Sequence, residues 1–319
     1  LDADSGAIVP FGSADQRLAE SLASQAAIAL TNQQLVAQLE QLFESFIGLI
    51  NAAIDEKSPY TGGHCQRVPE LTMMLAEAVN DTTTGPLAEV QLDDRDFHEL
   101  RIAALLHDCG KVTTPVHVVD KATKLQTIHD RIHGIDVRFE LVKREAELRH
   151  WRAVAASGSA AGGDAQLTAL LEQCDADRDF LRRANIGGER MSEEDAARVA
   201  QIARRYSYLG PDGQTWPLLS EDEVHNLSVR AGTLTAAERE VINQHIATTI
   251  RMLEQLPWPK HLTRVPEYAG GHHERMDGKG YPKGLTREQM SWPARMMGIA
   301  DIFEALTASD RPYKKAMPL

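Results

Sequence analysis

The sequence predicts an all-α protein, and three observations carry that expectation. Hydrophobic residues make up 43% of the chain, charged residues 25% and aromatic residues only 5%, with Ala, Leu, Glu and Arg, all strong helix formers, prominent. A stretch from Ser13 to about Lys57 holds no Pro and a single Gly, Gly48. Helix-start pairs, a Ser or Thr followed three residues later by Gln, Asp or Glu, recur ahead of further helical stretches. At 319 residues the chain is long enough for one main globular unit with appendages.

The first helix is expected from Ser13, with Gln16 completing its cap, to about Lys57. Positions 18, 22, 25, 29, 32, 36, 39, 43, 46, 50 and 53 alternate by four and three and read Leu, Leu, Gln, Ala, Asn, Val, Leu, Phe, Phe, Ile and Ala. That is a heptad seam, and the polar Gln25 and Asn32 within it fit a role in fixing register and strand number. A parallel homodimer helix is favoured over a single helix packed on its own domain. After Pro59, helices are expected at about Gly63 to Asn80 and Asp94 to Leu106, separated by the polar connection Asp81 to Gly85. Another runs from about Thr127 to Ala156. The small residues of Ala155 to Asp164 then read as a flexible loop. Further helices are expected at Gln166 to Ala184 and at Ser192 to Tyr206, the latter opened by a Ser192–Asp195 box. A Thr235–Glu238 box opens one that runs to about Leu256, where Pro257-Trp258-Pro259 stops it. No internal repeat is present.

The charge and the cysteines narrow the class. A formal net charge of −12 argues against DNA or RNA as a partner, because such binding draws on neutralised phosphates. A small phosphate ester stays open as a substrate, since metal ions and a few local cations can supply positive charge. Cys65, Cys109 and Cys174 lack metal-type spacing and are odd in number, so they are expected to be reduced thiols. No apolar run reaches membrane-spanning length, and the start, Leu1 to Phe11, lacks the pattern of a signal peptide. A cytoplasmic location is the expectation. Both ends read as cut from something longer.

Chemistry gathers in a few places. His107-Asp108 closes the apolar run Ile102 to Leu106 and offers an imidazole and a carboxylate from adjacent positions. His272-His273 follows Gly270-Gly271. If helical, that pair points about 100° apart, suiting two ions or one ion and its water. His64, His245 and Asp301 stand alone, Asp301 within the otherwise apolar run Met296 to Leu306, where an unpaired carboxylate is costly. Ordinary roles remain open for each: a core histidine at His245, a local cap at Asp301, solvated charges at Glu274 and Asp277. His98, His117, His129, His133, His150, His225 and His261 are read as ordinary histidines. Asp277-Gly278-Lys279-Gly280-Tyr281-Pro282 is too Gly-rich for helix and ends in a Tyr-Pro turn.

The motif His107-Asp108-x-Gly110-Lys111, then His272-His273-Glu274-x-x-Asp277-Gly278-x-Gly280-Tyr281-Pro282, then Asp301 with Arg311-Pro312-Tyr313, resembles the HD-GYP family of the HD superfamily of metal-dependent phosphohydrolases. The resemblance runs from about residue 52 to 319, apart from an insertion at roughly 143–228. It implies an HD-type helical bundle over 58–319 that hydrolyses cyclic-di-GMP to the linear dinucleotide pGpG, to GMP, or both. It further implies metal ligands at His64, His107, Asp108, His245, His272, His273 and Asp301, with Asp108 bridging two divalent ions, iron or manganese. Some members hold a third metal through a Glu four residues before the first His; Tyr60 stands there, so two are expected. Arg311 and Lys314 match substrate-phosphate contacts, and Tyr281 is placed to stack on or border a guanine.

Two cations sharing a water lower its pKa and neutralise phosphate oxygens, supplying nucleophile and charge together. Lys111, one turn past the His-Asp pair, can add charge near the phosphate or protonate the leaving oxygen. At the start, Phe11 to Leu35 resembles the last helix of a GAF sensory domain, which implies 1–35 as its remnant and 36–57 as a signalling helix. A generic signalling helix is the alternative. Two rival readings stay open: a non-catalytic module that binds cyclic-di-GMP or a diguanylate cyclase (GGDEF) domain, and a phosphohydrolase for another cyclic dinucleotide or a nucleotide monophosphate. The insertion fits a lid, a docking surface or a dimer element equally well.

Overall fold

Helix formers and cap residues turn this sequence into an all-α protein, as expected. A computed structural model describes residue 6 and residues 11–57, 63–158, 163–188 and 190–308. Among them are eleven α-helices, and the only strands form one two-stranded hairpin. The chain divides into two compact units, residues 1–52 and 53–319. In the first, the described structure is mostly α1, which is Ser13–Lys57 over its whole course. Ser13 is the first helical residue, not the cap that was expected. Gly12 sits outside, its carbonyl accepting from the Gln16 N–H and its own N–H donating to the Asp15 carboxylate at 2.9 Å. Along the seam, Leu18, Leu22, Val36, Leu39 and Phe46 are all more than half exposed.

The second unit opens with α2 (His64–Asn80) and α3 (Asp94–Leu106). A reciprocal Asp93–Asp96 capping box starts α3, and Asp94 and Asp96 complement its N-terminal dipole. A 3-10 turn, Cys109–Thr113, follows, and then α4 (Val116–Val119). Next come α5 (Ile132–Ser157), α6 (Gly163–Asn185), α7 (Glu193–Arg205), the hairpin β1 (Ser207–Leu209) with β2 (Thr215–Pro217), and α8 (Glu221–Leu227). The chain then returns through α9 (Ala236–Glu254), α10 (Val265–Gly270) and α11 (Trp292–Thr307). Two helix bundles result. In one, α2 packs on α3 and α11, α3 on α10, and α9 on α10 and the 3-10 turn. In the other, α5 to α8 enclose their own core of Phe139, Leu181, Ile202, Leu218 and Leu227, all nearly inaccessible. Burying each of those side chains stabilises the fold by about 2 kcal/mol.

The helices differ from expectation in instructive places. α5 begins at Ile132 rather than Thr127, because Asp130 acts as a local stop. Its carboxylate accepts from the Ile132 N–H at 3.0 Å, from the Asn185 amide and from the Thr123 hydroxyl. Ser192 caps α7 by accepting from the Asp195 N–H, but the reciprocal half of that box is missing. The Thr235–Glu238 box is complete. The β1–β2 hairpin, turning at Gly210-Pro211-Asp212-Gly213, was not foreseen. In the small-residue loop, α5 runs through Ser157 and α6 starts at Gly163, while residues 159–162 lie outside the described residues. None of the three cysteines forms a disulfide, and no described helix is long and apolar enough to cross a membrane.

Candidate metal centre

Five of the predicted ligands are delivered by the end or the face of a helical element in the first bundle, and two by a turn. Gly63, in the left-handed region with φ 86°, turns the chain into α2 so that His64 is its first residue. His107 closes α3 and Asp108 opens the 3-10 turn. His245 lies within α9, and Asp301 projects from α11. His272 and His273 are in a turn rather than on a helix, because α10 ends at Gly270 and caps at Gly271. That turn, not a helical 100° step, sets their rings 4.4 Å apart at 40°.

All seven converge on one buried site. The His64 Nε2 lies 3.1 Å from Asp108 Oδ2 and 3.3 Å from Asp301 Oδ1, and the His245 Nε2 lies 3.2 Å from Asp108 Oδ1. Three overlapping groups have ligand atoms within 4.8 Å of one another: His64, His107 and Asp301; His107, Asp108 and His272; and His245, His272 and His273. Asp108 presents one oxygen toward His64 and His107 and the other toward His245.

Hydrogen bonding prepares these imidazoles for a metal. The Nδ1 of His107 meets the Ala104 carbonyl at 2.7 Å, that of His245 the Ile242 carbonyl at 2.5 Å, and that of His272 the Ala269 carbonyl at 2.6 Å. A carbonyl only accepts, so Nδ1 must carry the proton and Nε2 keeps its lone pair. The Nε2 atoms of His245 and His272 and the Oδ1 of Asp108 are buried without a hydrogen-bond partner. Acceptors facing one another across about 3 Å repel unless a cation lies between them. The donor set therefore fits divalent metal ions, with nitrogen and oxygen donors and no sulfur.

The electrostatics of His272 and His273 agrees. Burial holds the His272 pKa well below its ordinary value and lowers His273 to about 4, so both rings are neutral at pH 7. Burial acts to lower the His64 pKa too, but hydrogen bonds to Asp108, Asp301 and Glu304 outweigh it and raise it to about 10. Burial opposes ionisation of Asp108, yet Lys111 and His107 hold its pKa well below the usual range. The Lys111 ammonium sits 2.5 Å from Asp108 Oδ2.

Several neighbours were missed or misread from sequence. Glu304, buried on α11, accepts from Nδ1 of His64 at 2.6 Å and from Nε of Arg67 at 2.9 Å. It falls three residues after Asp301 in the same apolar run, on the same helix face, so the argument that singled out Asp301 applied to it as well. Thr249, one turn after His245, donates to the His107 carbonyl and accepts from the Gly110 N–H. Gly110 permits that contact: a Cβ there would lie 2.6 Å from Thr249 N. Glu274 is no solvated charge. It is 7% exposed and accepts from the N–H groups of Lys283 and Leu285, at 2.6 and 2.8 Å, which folds the Asp277 to Pro282 loop back on itself. Asp277 is exposed, paired with Arg275. Gly278 adopts φ 74°, and Gly280 lies against the Glu274 backbone, where no Cβ fits. Tyr281 stacks on His273, with centroids 5.0 Å apart and an 18° tilt, and burial raises its pKa to about 12. Tyr60, Arg311 and Lys314 lie outside the described residues.

A family model described as HD domain matches residues 61–207, and a second HD domain model matches 216–319. This chain belongs to the HD domain family. Its His107-Asp108 pair and its Gly-Tyr-Pro loop place it in the HD-GYP branch. The HD-GYP chain is 30% identical over 262 residues to the cyclic di-GMP phosphodiesterase PA4108 of Pseudomonas aeruginosa, an alignment covering 78% of this chain and 55% of that protein. It is 42% identical over 90 residues to the 3'3'-cGAMP-specific phosphodiesterase 3 of Vibrio cholerae, covering 28% of this chain and 19% of that one. It is 38% identical over 91 residues to a cyclic di-GMP phosphodiesterase of Thermotoga maritima, covering 28% and 24%. The HD-GYP chain thus spans 55% of the length of the first of these relatives and much less of the other two.

Proposed function

We propose that this HD-GYP protein hydrolyses cyclic-di-GMP, yielding pGpG, GMP or both, on a site that holds two divalent ions, iron or manganese. The observation that carries the reading is the convergence of buried, unpartnered Nε2 and Oδ1 atoms at one point beside the part-buried Lys111 ammonium. His64, His107 and Asp301 would hold one ion and His245, His272 and His273 the other, with Asp108 offering an oxygen to each. When bound, such ions supply Lewis acidity to phosphate oxygens and acidify a water. The chain's own groups do the rest. Lys111 holds a positive charge at Asp108, where it can offset charge on a phosphate oxygen or give its proton to the leaving oxygen. Tyr281, stacked on His273, presents an aromatic edge at the rim for a guanine to border. Arg311 and Lys314 complete the phosphate contacts in this reading.

We further propose that residues 1–35 end a GAF sensory domain and 36–57 carry its signal in a parallel homodimer, with the HD-GYP domain from 58 bearing the insertion at about 143–228. In this scheme the protein works in the bacterial cytoplasm, with diguanylate cyclase domains as candidate partners. The exposed apolar seam of α1 supports the dimer. A second substrate, 3'3'-cGAMP, is favoured by relatives named for it at higher identity over a shorter stretch.

The test is chromatography of nucleotides after incubation of the chain, reconstituted anaerobically with ferrous iron or manganese, with each cyclic dinucleotide in turn. Metal-dependent loss of cyclic-di-GMP, abolished by His107→Ala and by Asp108→Ala, is the expected result. Preferential turnover of 3'3'-cGAMP transfers the reading to that substrate. Metal-loaded protein that binds both nucleotides and leaves them intact would sink the enzymatic reading.

A further inference from the structure

A second concave site lies in the α5–α8 bundle, formed by the end of α6, residues Ile186, Gly188, Arg190 and Met191, the start of α7 and Arg230. It is a cavity of about 370 Å³ with Lys124, Arg183, Arg190, Arg198 and Arg230 around Phe180. Asp195 is the one carboxylate among its described lining residues; Glu189 lies outside the described residues. Five cations around one cavity stand out in a chain of net charge −12.

The charges are unequally compensated. Lys124 is 3% exposed, and its ammonium donates only to neutral acceptors, the Leu227 carbonyl at 3.0 Å and the Met191 sulfur at 3.3 Å. Arg198 lies over the Phe180 ring at 4.2 Å and meets Asp177 at 3.1 Å. Arg230 pairs with Glu193 at 3.1 Å, but both side chains are mostly exposed, so the pair is weak. Among the described residues, Arg183 and Arg190 have no carboxylate partner. Burial lowers the Lys124 pKa and the Asp195 carboxylate only partly offsets it, so an anion entering the cavity adds to that compensation.

We propose that this cavity binds a small phosphorylated molecule. Guanidinium forks match phosphate oxygens in paired hydrogen bonds, and an entering anion favours the charged form of the buried Lys124. The volume falls at the lower end of the range for small-molecule pockets, roughly 300–1,000 Å³, too small for a macromolecular surface. Ile186 and Met191 supply apolar wall beside the cations. None of the lining residues belongs to the metal centre. Backbone hydrogen bonds from Gly232 N–H to the Gly188 carbonyl and from Met191 N–H to the Arg230 carbonyl fix Gly188 and Met191 in the cavity wall.

The experiment is calorimetric titration of the full chain, kept metal-free in chelator so that the metal centre takes no phosphate, with GMP and with inorganic phosphate at constant ionic strength. Saturable binding to wild type is expected, weakened by roughly tenfold or more in the Arg183→Glu/Arg190→Glu double variant. Both side chains are exposed, and an unchanged thermal transition shows the fold intact; Arg190→Ala alone is the milder second variant. GMP binding more tightly than phosphate identifies a nucleotide ligand, and equal affinities identify recognition of the phosphate group itself. Absence of binding by both probes at millimolar concentration overturns the proposal, as does equal binding by wild type and both variants. An oligoglutamate peptide that binds through the same arginines while both phosphates fail also overturns it, in favour of an acidic protein partner.

Discussion

At the scale of single residues, the centre is organised by what the far side of each imidazole does. His107, His245 and His272 each point Nδ1 at the carbonyl three residues earlier, a bond that helix geometry supplies without any further side chain. His64 opens α2 and has no preceding turn to use, so it leans on Glu304 from another helix. Glu304 offers one oxygen to His64 and the other to Arg67, and a glutamine has only one oxygen to offer. Glu304→Gln must therefore disturb one of the two bonds. Metal affinity is expected to fall by about 10–100-fold, read by competition with a chromogenic chelator, while the thermal transition of the metal-free protein stays close to wild type. Undiminished affinity would remove Glu304 from the positioning of His64.

At the scale of elements, ion pairs and caps fix where helices of the α5–α8 bundle begin. Arg138 on α5 holds Glu223 in the first turn of α8 at 2.5 Å, while Glu223 also accepts from the Ser220 N–H that caps this helix. Burial opposes ionisation of Glu223, but Arg138 and the Ser220 bonds outweigh it and lower its pKa. A carboxylate whose folded pKa is depressed contributes stability that is present above its unfolded value, about 4.3, and lost as pH falls through the folded value. In Arg138→Met the charge stays buried without its partner, costing on the order of 3 kcal/mol at pH 7. Protonation then relieves the variant, so the gap between wild type and variant should narrow as pH drops below the unfolded value. Urea unfolding at neutral and acid pH reads this directly, and a gap independent of pH would rule out Glu223 as the titrating group.

At the scale of the whole molecule, the seam of α1 leaves large apolar side chains in water, which a homodimer would cover. Leu22→Asp with Leu39→Asp places charge on that seam at two exposed positions. Sedimentation should show a dimer for wild type and a monomer for the double variant, with the metal content of the catalytic unit retained. A wild-type monomer at micromolar concentration would end the coiled-coil reading. The net charge of −12 also means that any anionic ligand meets an unfavourable overall field, so in the proposed reading capture depends on local cations such as Lys111.

Much was legible in the sequence because it is written locally. Helix formers, the Thr235–Glu238 box and the Pro257–Pro259 stop are contacts between near neighbours, and they placed α1, α2, α3, α6, α7 and α9 to within a few residues. The His-Asp and His-His pairs and the Gly-Tyr-Pro loop are likewise contiguous, so their order pointed to a metal-dependent phosphohydrolase family. The start of α5 was not legible, since Asp130 stops it through contacts with Thr123 and the distant Asn185. Nor was the role of Glu304, whose partner lies 240 positions away. The basic cavity is assembled from Lys124, the end of α6, the start of α7 and Arg230, which no window of sequence contains together. The sequence by itself determined which segments are helical and which residue types are available to hold metal. Only the tertiary structure decided which lone pairs face one another and which charges are buried without a partner, because both depend on distances between segments far apart along the chain.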